Sequence, residues 1–138
     1  MAQDKDLPKR EVGGHTEPYW NAAADERLLI QQCEACEDHV FPPRVACPYC
    51  LEPSLAWVEA SGEGTVYTYS TVYHPPHPAW EDDVPYTLGV VELAEGAFFF
   101  TELVNCDDDL LESGLPVTVT FDHVAADVTL PKFEPRSE

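Results

Sequence analysis

Two short cysteine pairs do more than any other feature to limit how this chain can fold. Cys33-x-x-Cys36 and Cys47-x-x-Cys50 lie ten residues apart within "CEACEDHVFPPRVACPYC". Two residues between cysteines let backbone amides point back at sulfur. Two such knuckles facing each other place four thiolates around one tetrahedral ion. Zinc suits four soft thiolates, and a site they close has no open position for a catalytic water. A piece of fewer than about forty residues cannot build a sufficient apolar core, whereas a structural zinc contributes on the order of 10 to 16 kcal/mol to folding. The metal therefore stands in for a core, and Pro42-Pro43 stiffens the link between the knuckles.

Other readings of the same cysteines are weaker. A rubredoxin-like iron site uses the same ligands and carries electrons, but a glycine shortly after each pair would favour it, and Glu37 and Leu51 follow instead. A dithiol redox centre needs one pair at a helix start with a depressed pKa, not two matched pairs. His39 reads as a turn residue beside four correctly spaced thiols. Cys106 precedes Asp107 to Asp109, whose charges disfavour its thiolate, so it is a poor nucleophile.

Charge removes further classes. The chain of 138 residues carries 26 acidic and 7 basic side chains, a formal net charge of −19. Nucleic acids and anionic membrane surfaces are both bound through Lys and Arg, so this field disfavours them. Excess carboxylate with scarce lysine also suits a high-salt cytoplasm. The charged segment "MAQDKDLPKREVGG" has no apolar run, and no stretch approaches the ~18 apolar residues of a membrane span. A soluble, cytoplasmic protein is expected, and in a reducing compartment paired cysteines bind metal.

The fold class expected is mainly β: a short helix, a rubredoxin-like zinc ribbon, then a five-stranded OB-like barrel. Residues 1–15 read as a flexible arm, 16–60 as helix and ribbon, and 61–135 as barrel. Thr16 as cap and Pro18 in the first turn predict a helix through about Glu26, with Tyr19, Trp20, Ala23 and Ala24 on one face. Arg27 to Gln32 reads as a strand. Five β-branched and aromatic runs follow, at 62–74, 86–93, 97–104, 116–124 and 127–133, with a tight turn at Ala94-Glu95-Gly96. Five strands in this length suggest a small barrel.

The stiff segment "HPPHPAWEDDVP", residues 74–85, is longer than a hairpin needs and so a candidate functional loop. His74 and His77 with Asp82 and Asp83 are a weak second metal motif there. Trp80 either stacks a ligand or partner, or folds back to cap the barrel. "FFF" at 98–100 reads as core with one phenylalanine turned outward. No nucleophile elbow, phosphate loop or H-E-x-x-H motif is present, so no catalytic residue is assigned.

The order of motifs is more specific than any one of them. "PYW", "RLLIQQCEAC", "FPPRVACPYC", "GEGTVYTYSTVYHPP", "PYTLGVVEL", the strand G-x-P-V-x-V-x-F and "TLPKFEP" together resemble the zinc-ribbon plus OB-fold family that accompanies thiolases, long known only as a domain of unknown function. The resemblance covers about residues 16–135. It implies a non-catalytic accessory subunit, in a hetero-oligomer with a thiolase-like catalytic subunit, that assists assembly and binding of a coenzyme A thioester. A partner among acyl-CoA hydratases or aldolases is the alternative. Cys33, Cys36, Cys47 and Cys50 match the zinc ligands. Coenzyme A carries phosphates, for which a chain of this charge needs a local basic patch or one supplied by a partner, and Arg44 and Lys132 are the local cations. Phe41 between the knuckles and Trp80 of the proline loop are the other candidate coenzyme or partner contacts. A nucleic-acid-binding ribbon and OB module, and an electron carrier, are the competing classes.

Overall fold

The computed structural model describes residues 14–136; residues 1–13 of the expected arm lie outside them. A 3₁₀ turn, Gly14–Thr16, leads into helix α1, Glu17–Ala24. Thr16 occupies the N-cap position without a side-chain cap bond, so the start rests on Pro18, whose fixed φ suits a first turn. The helix ends two residues earlier than expected. Asp25, Glu26 and Arg27 donate back to Ala22 and Ala23 carbonyls, and Glu26 takes a left-handed φ of 60°. Its buried face is Tyr19, Ala22 and Ala23, with Trp20 half-buried and Ala24 exposed, a rotation from the expected face.

Three antiparallel strands form the ribbon: β1 (Leu29–Cys33), β2 (His39–Val40) and β3 (Leu55–Glu59), in the order β2-β1-β3. The strand expected from Arg27 begins at Leu29 and reaches Cys33, so β1 delivers the first cysteine directly into its knuckle. β2 and β3 had no counterpart in the sequence reading.

Five longer strands close a barrel: β4 (Glu63–Val72), β5 (Tyr86–Leu93), β6 (Phe98–Leu103), β7 (Pro116–Ala125) and β8 (Val128–Pro135), in the order β4-β5-β6-β8-β7. β7 pairs back onto β4, and β6 meets β8 in parallel at Leu103 and Phe133. This is the expected OB-like barrel. A bulge in β4 between Val66 and Thr68 bends the strand, as closure of a small barrel requires. Gly64 has no room for a side chain, since a Cβ there would lie 2.5 Å from the Glu92 carbonyl oxygen.

One core runs through helix, ribbon and barrel. Val66, Val91, Leu93, Phe99, Val117 and Phe133 from the barrel join Tyr19 of α1 and Ile30 of β1 in a single buried cluster. Phe41, between the knuckles, stacks on Phe99 with ring centroids 4.3 Å apart, and Tyr19 packs 5.6 Å from Phe41. The alternation of β6 corrects the reading of the Phe run: Phe99 is buried, whereas both Phe98 and Phe100 face outward. Among the described residues no helix is long and apolar enough to cross a membrane.

Candidate metal centre and adjoining cavity

The four ribbon cysteines converge. Their sulfurs all lie within 4.8 Å of one another, with Cys33 Sγ 3.6 Å from Cys50 Sγ and Cys36 Sγ 3.7 Å from Cys47 Sγ. A regular tetrahedron with metal–sulfur bonds of ~2.3 Å has edges of about 3.8 Å, so the spacing fits one zinc ion without rearrangement. The two knuckles share the same pair of backbone bonds. Cys33 N–H donates to the Asp38 carbonyl and Glu37 N–H to the Cys33 carbonyl; Cys47 N–H donates to Glu52 and Leu51 N–H to Cys47. Glu37 and Leu51 both turn the chain with φ of 68°.

Backbone amides also reach sulfur, from Cys36 to Cys33 Sγ at 3.5 Å and from Tyr49 to Cys47 Sγ at 3.4 Å. The Cys36 amide is the main reason the Cys33 thiol falls to about 6. At Cys36 the Asp38 amide favours the thiolate, but burial and the three surrounding sulfurs outweigh it and push the thiol up to about 12. Four thiolates held this closely need a cation between them. The apolar support is slight, Val40 being the one fully buried aliphatic beside Cys33 and Cys47, which agrees with a metal in place of a core.

Three of the four candidate contact residues meet at one place. Phe41, Trp80 and Lys132 line a largely apolar cavity of about 290 Å³, together with Tyr86, Leu88 and Phe100. Trp80 is half-buried at the end of a 3₁₀ turn, Pro78–Trp80, which the His77 ring caps by accepting from the Ala79 amide at 3.1 Å. The proline loop thus folds back against the barrel beside Tyr86, Leu88 and Phe100. His74, His77, Asp82 and Asp83 do not gather; among the described residues the four cysteines are the one group with metal-ligand spacing.

Lys132 differs from the surface cation expected. It is 8% exposed, and its ammonium contacts Asp122 Oδ2 at 2.6 Å and Glu102 Oε1 at 3.1 Å. Burial alone would lower its pKa, yet the two carboxylates overcome that and raise it. Its charge is answered within the fold, so little remains for a phosphate. Asp122 and Glu102 were not singled out in the sequence, where nothing marks residues 10 and 30 positions away as partners.

Arg44 stays outside the cavity lining and is exposed. Its backbone is clamped by Gln31, a buried residue of β1 that the sequence reading passed over. The Gln31 amide donates to the Arg44 carbonyl at 3.0 Å and its oxygen accepts from the Arg44 N–H at 2.7 Å. Arg27, Lys132 and Arg136 each have a carboxylate partner, so Arg44 is the one basic side chain among the described residues without one. Cys106 is set apart from the cluster, its thiol raised by burial and by Asp107 and Asp108.

Residues 20–56 match the family described as "ChsH2, rubredoxin-like zinc ribbon domain", and residues 57–122 match "ChsH2, C-terminal OB-fold domain". A "DUF35 domain-containing scaffold protein" of Methanothermobacter thermautotrophicus is 35% identical over 95 residues, covering 68% of this chain and 71% of the relative. The chain belongs to the DUF35 family.

Another relative of this DUF35 chain, from Thermomonospora curvata, is named "Probable enoyl-CoA hydratase alpha subunit" and is 40% identical over 132 residues. That match takes in 95% of this chain but 41% of the relative, so the chain spans about two-fifths of its length. The solved structure titled "Ltp2-ChsH2(DUF35) aldolase" contains a chain that is 38% identical, with a TM-score of 0.80 over 92% of this chain and 98% of that one. Within the family the zinc-ribbon match contains all four clustered cysteines, and the centre is a structural zinc-ribbon site.

Proposed function

We propose that this DUF35 chain is a non-catalytic accessory subunit of an acyl-CoA enzyme, in a hetero-oligomer whose other subunit supplies the catalytic groups. The observation that carries the reading is the match to nearly the whole ChsH2(DUF35) chain of a structure titled as an aldolase with a second named component, Ltp2. The hydratase name of the Thermomonospora relative favours the same kind of partnership. A thiolase-like catalytic subunit, the expectation from the motif order, is the partner proposed, and an acyl-CoA hydratase or aldolase is the alternative that the relatives' names favour.

In this reading the zinc holds the ribbon, and the ribbon presents Phe41 to Arg44. The apolar cavity beside Phe41 and Trp80 receives the less polar part of a coenzyme A thioester, with Lys132 bracing its wall. Arg44 is the phosphate contact, because its charge has no internal partner and its backbone is held by Gln31. The partner supplies the remaining positive charge. Purification of the chain from its native host under mild conditions tests this. An acyl-CoA enzyme should accompany it in fixed ratio and lose activity without it. A chain that runs alone, beside a fully active enzyme, overturns the proposal.

One observation favours a second reading. Tyr67, Phe98 and Phe100 lie exposed on the barrel strands that OB-folds use to stack bases. A titration with single-stranded oligonucleotide across salt decides it, since binding through phosphates weakens steeply with salt. The paired state of Arg27, Lys132 and Arg136 argues against it.

A further inference from the structure

The outer face of β4, β5 and β6 carries an apolar surface that the fold itself does not use. Phe98 and Phe100 of β6 point outward, at 44% and 71% exposure, and Tyr67, displaced by the β4 bulge, stands 58% exposed beside them. The rings of Tyr67 and Phe98 meet edge-on, 5.0 Å apart, across β5. Val90 lies opposite Phe100 in the β5–β6 register, and Leu88 follows two residues away on the same face. Two hollows open on either side of Phe100. One is the 290 Å³ cavity and the other a space of about 170 Å³ bounded by Thr68, Ser70 and Val90, and Leu88 and Phe100 border both. A large exposed ring beside an apolar hollow is the form of an interface anchor; the 170 Å³ hollow faces the docked surface, and the 290 Å³ cavity, proposed above for the thioester, lies at its edge.

The rim is acidic. Glu92 sits between Phe98 and Thr65 in the sheet register. The Tyr69 hydroxyl donates to the Leu111 carbonyl, next to Glu112 and close in sequence to Asp107, Asp108 and Asp109, and Glu81 and Asp82 follow Trp80. The nearest described cation, Lys132, is already bound to Glu102 and Asp122. A second copy of this chain is a poor occupant, since a two-fold contact would set this acidic rim against the same acidic rim in a chain of net charge −19.

We infer that this face, with Phe100 at its centre, docks the catalytic subunit, and that the docked surface has an apolar middle with a rim of Lys and Arg. The inference rests on the proposed accessory role and names the part of the chain that carries it out. The test places a photo-cross-linking benzoylphenylalanine at position 100, or at 67, in the chain expressed in its native host, with position 120 on β7 as control. Positions 100 and 67 should cross-link to the acyl-CoA enzyme and position 120 should not. The pair F98S/F100S should weaken the purified complex at least about 30-fold. The substituted chain alone should stay folded, its melting temperature lower by a few degrees at most, because Phe98 loses an edge contact with Tyr67 and neither ring belongs to the core. Raising salt should weaken the unsubstituted complex further.

Cross-links to a second copy of the chain overturn the inference, as does an intact complex in which positions 67 and 100 give no cross-link. Cross-links at these positions to a protein with no acyl-CoA chemistry leave the docking face standing and remove the accessory function. A chain that runs alone removes both.

Discussion

The two knuckles hold non-glycine residues where the backbone favours glycine, and this makes the metal site improvable. Glu37 and Leu51 each sit at φ of 68° immediately after a cysteine pair. A left-handed conformation costs an L-residue roughly 1–2 kcal/mol, and glycine gives back about 0.5–1 kcal/mol of that through its greater freedom when unfolded. Leu51 is 78% exposed, so its side chain has almost no burial to lose. The Glu37 position keeps its backbone bonds in a glycine variant, because the Gln32 amide donates to the Glu37 carbonyl and not to its carboxylate. Leu51→Gly and Glu37→Gly should therefore each stabilise the zinc-bound ribbon by about 0.5–1 kcal/mol, raising apparent zinc affinity about 2- to 5-fold. The double variant should gain about 5- to 30-fold in affinity and several degrees in melting temperature. Competition with a chromophoric zinc chelator reads the first and thermal unfolding the second. Asn105→Gly, at φ of 53° outside the ribbon, is the control for zinc affinity, which should not change although the variant loses the Asn105 side-chain bond to Glu134. Weaker zinc binding in Leu51→Gly would refute the reasoning, because relief of a strained turn cannot lower affinity.

The remaining predictions concern the metal, the buried lysine and alkaline pH. Elemental analysis should find one zinc per chain; Cys47→Ser or strong chelation should release it and shift the fluorescence of Trp57 in β3, whereas an unchanged spectrum would mean the ribbon folds without metal. Lys132→Ala should destabilise by about 3 kcal/mol in urea, since it leaves Asp122 and Glu102 facing each other without their cation. Adding D122N and E102Q to Lys132→Met should recover most of that loss. Burial holds Tyr19 well above its ordinary value near 10, and Lys132 is likewise raised above its own. Both groups are raised by folding, so their contribution is complete at neutral pH and is lost as pH climbs above about 10 towards their folded values. Alkaline unfolding should accordingly begin near pH 10 and be flattened by Tyr19→Phe; an identical profile in that variant would exclude Tyr19 as the cause.

The metal ligands and the barrel were legible because each has a local signature. Cysteine spacing needs no tertiary information, and β5 coincides with the run read from "YTLGVVEL" because its turns lie at both ends. β3 was missed since the first four residues of "LAWVE" are all half-covered, leaving no alternation of buried and exposed positions to find. The Phe run misled for a related reason: three identical residues carry no phase, and only the pairing of Phe99 with Val91 settles which one points in. Lys132 shows the limit most clearly. A lone basic residue in "LPKF" looks like a surface charge until β7 and β6 bring Asp122 and Glu102 beside it, and Gln31 is silent in the same way until Arg44 folds across it.

Phe99 has neighbours of two kinds. Inside, its ring lies on Phe41, which hangs between the zinc knuckles; along the strand, the residues on either side of it are Phe98 and Phe100, which look out. Phe41 thus ties the segment between the knuckles to the inner side of β6. Removing the zinc should therefore loosen Phe41 and, through Phe99, the strand that carries the outward phenylalanines, so that a metal-free chain should bind its proposed partner less tightly.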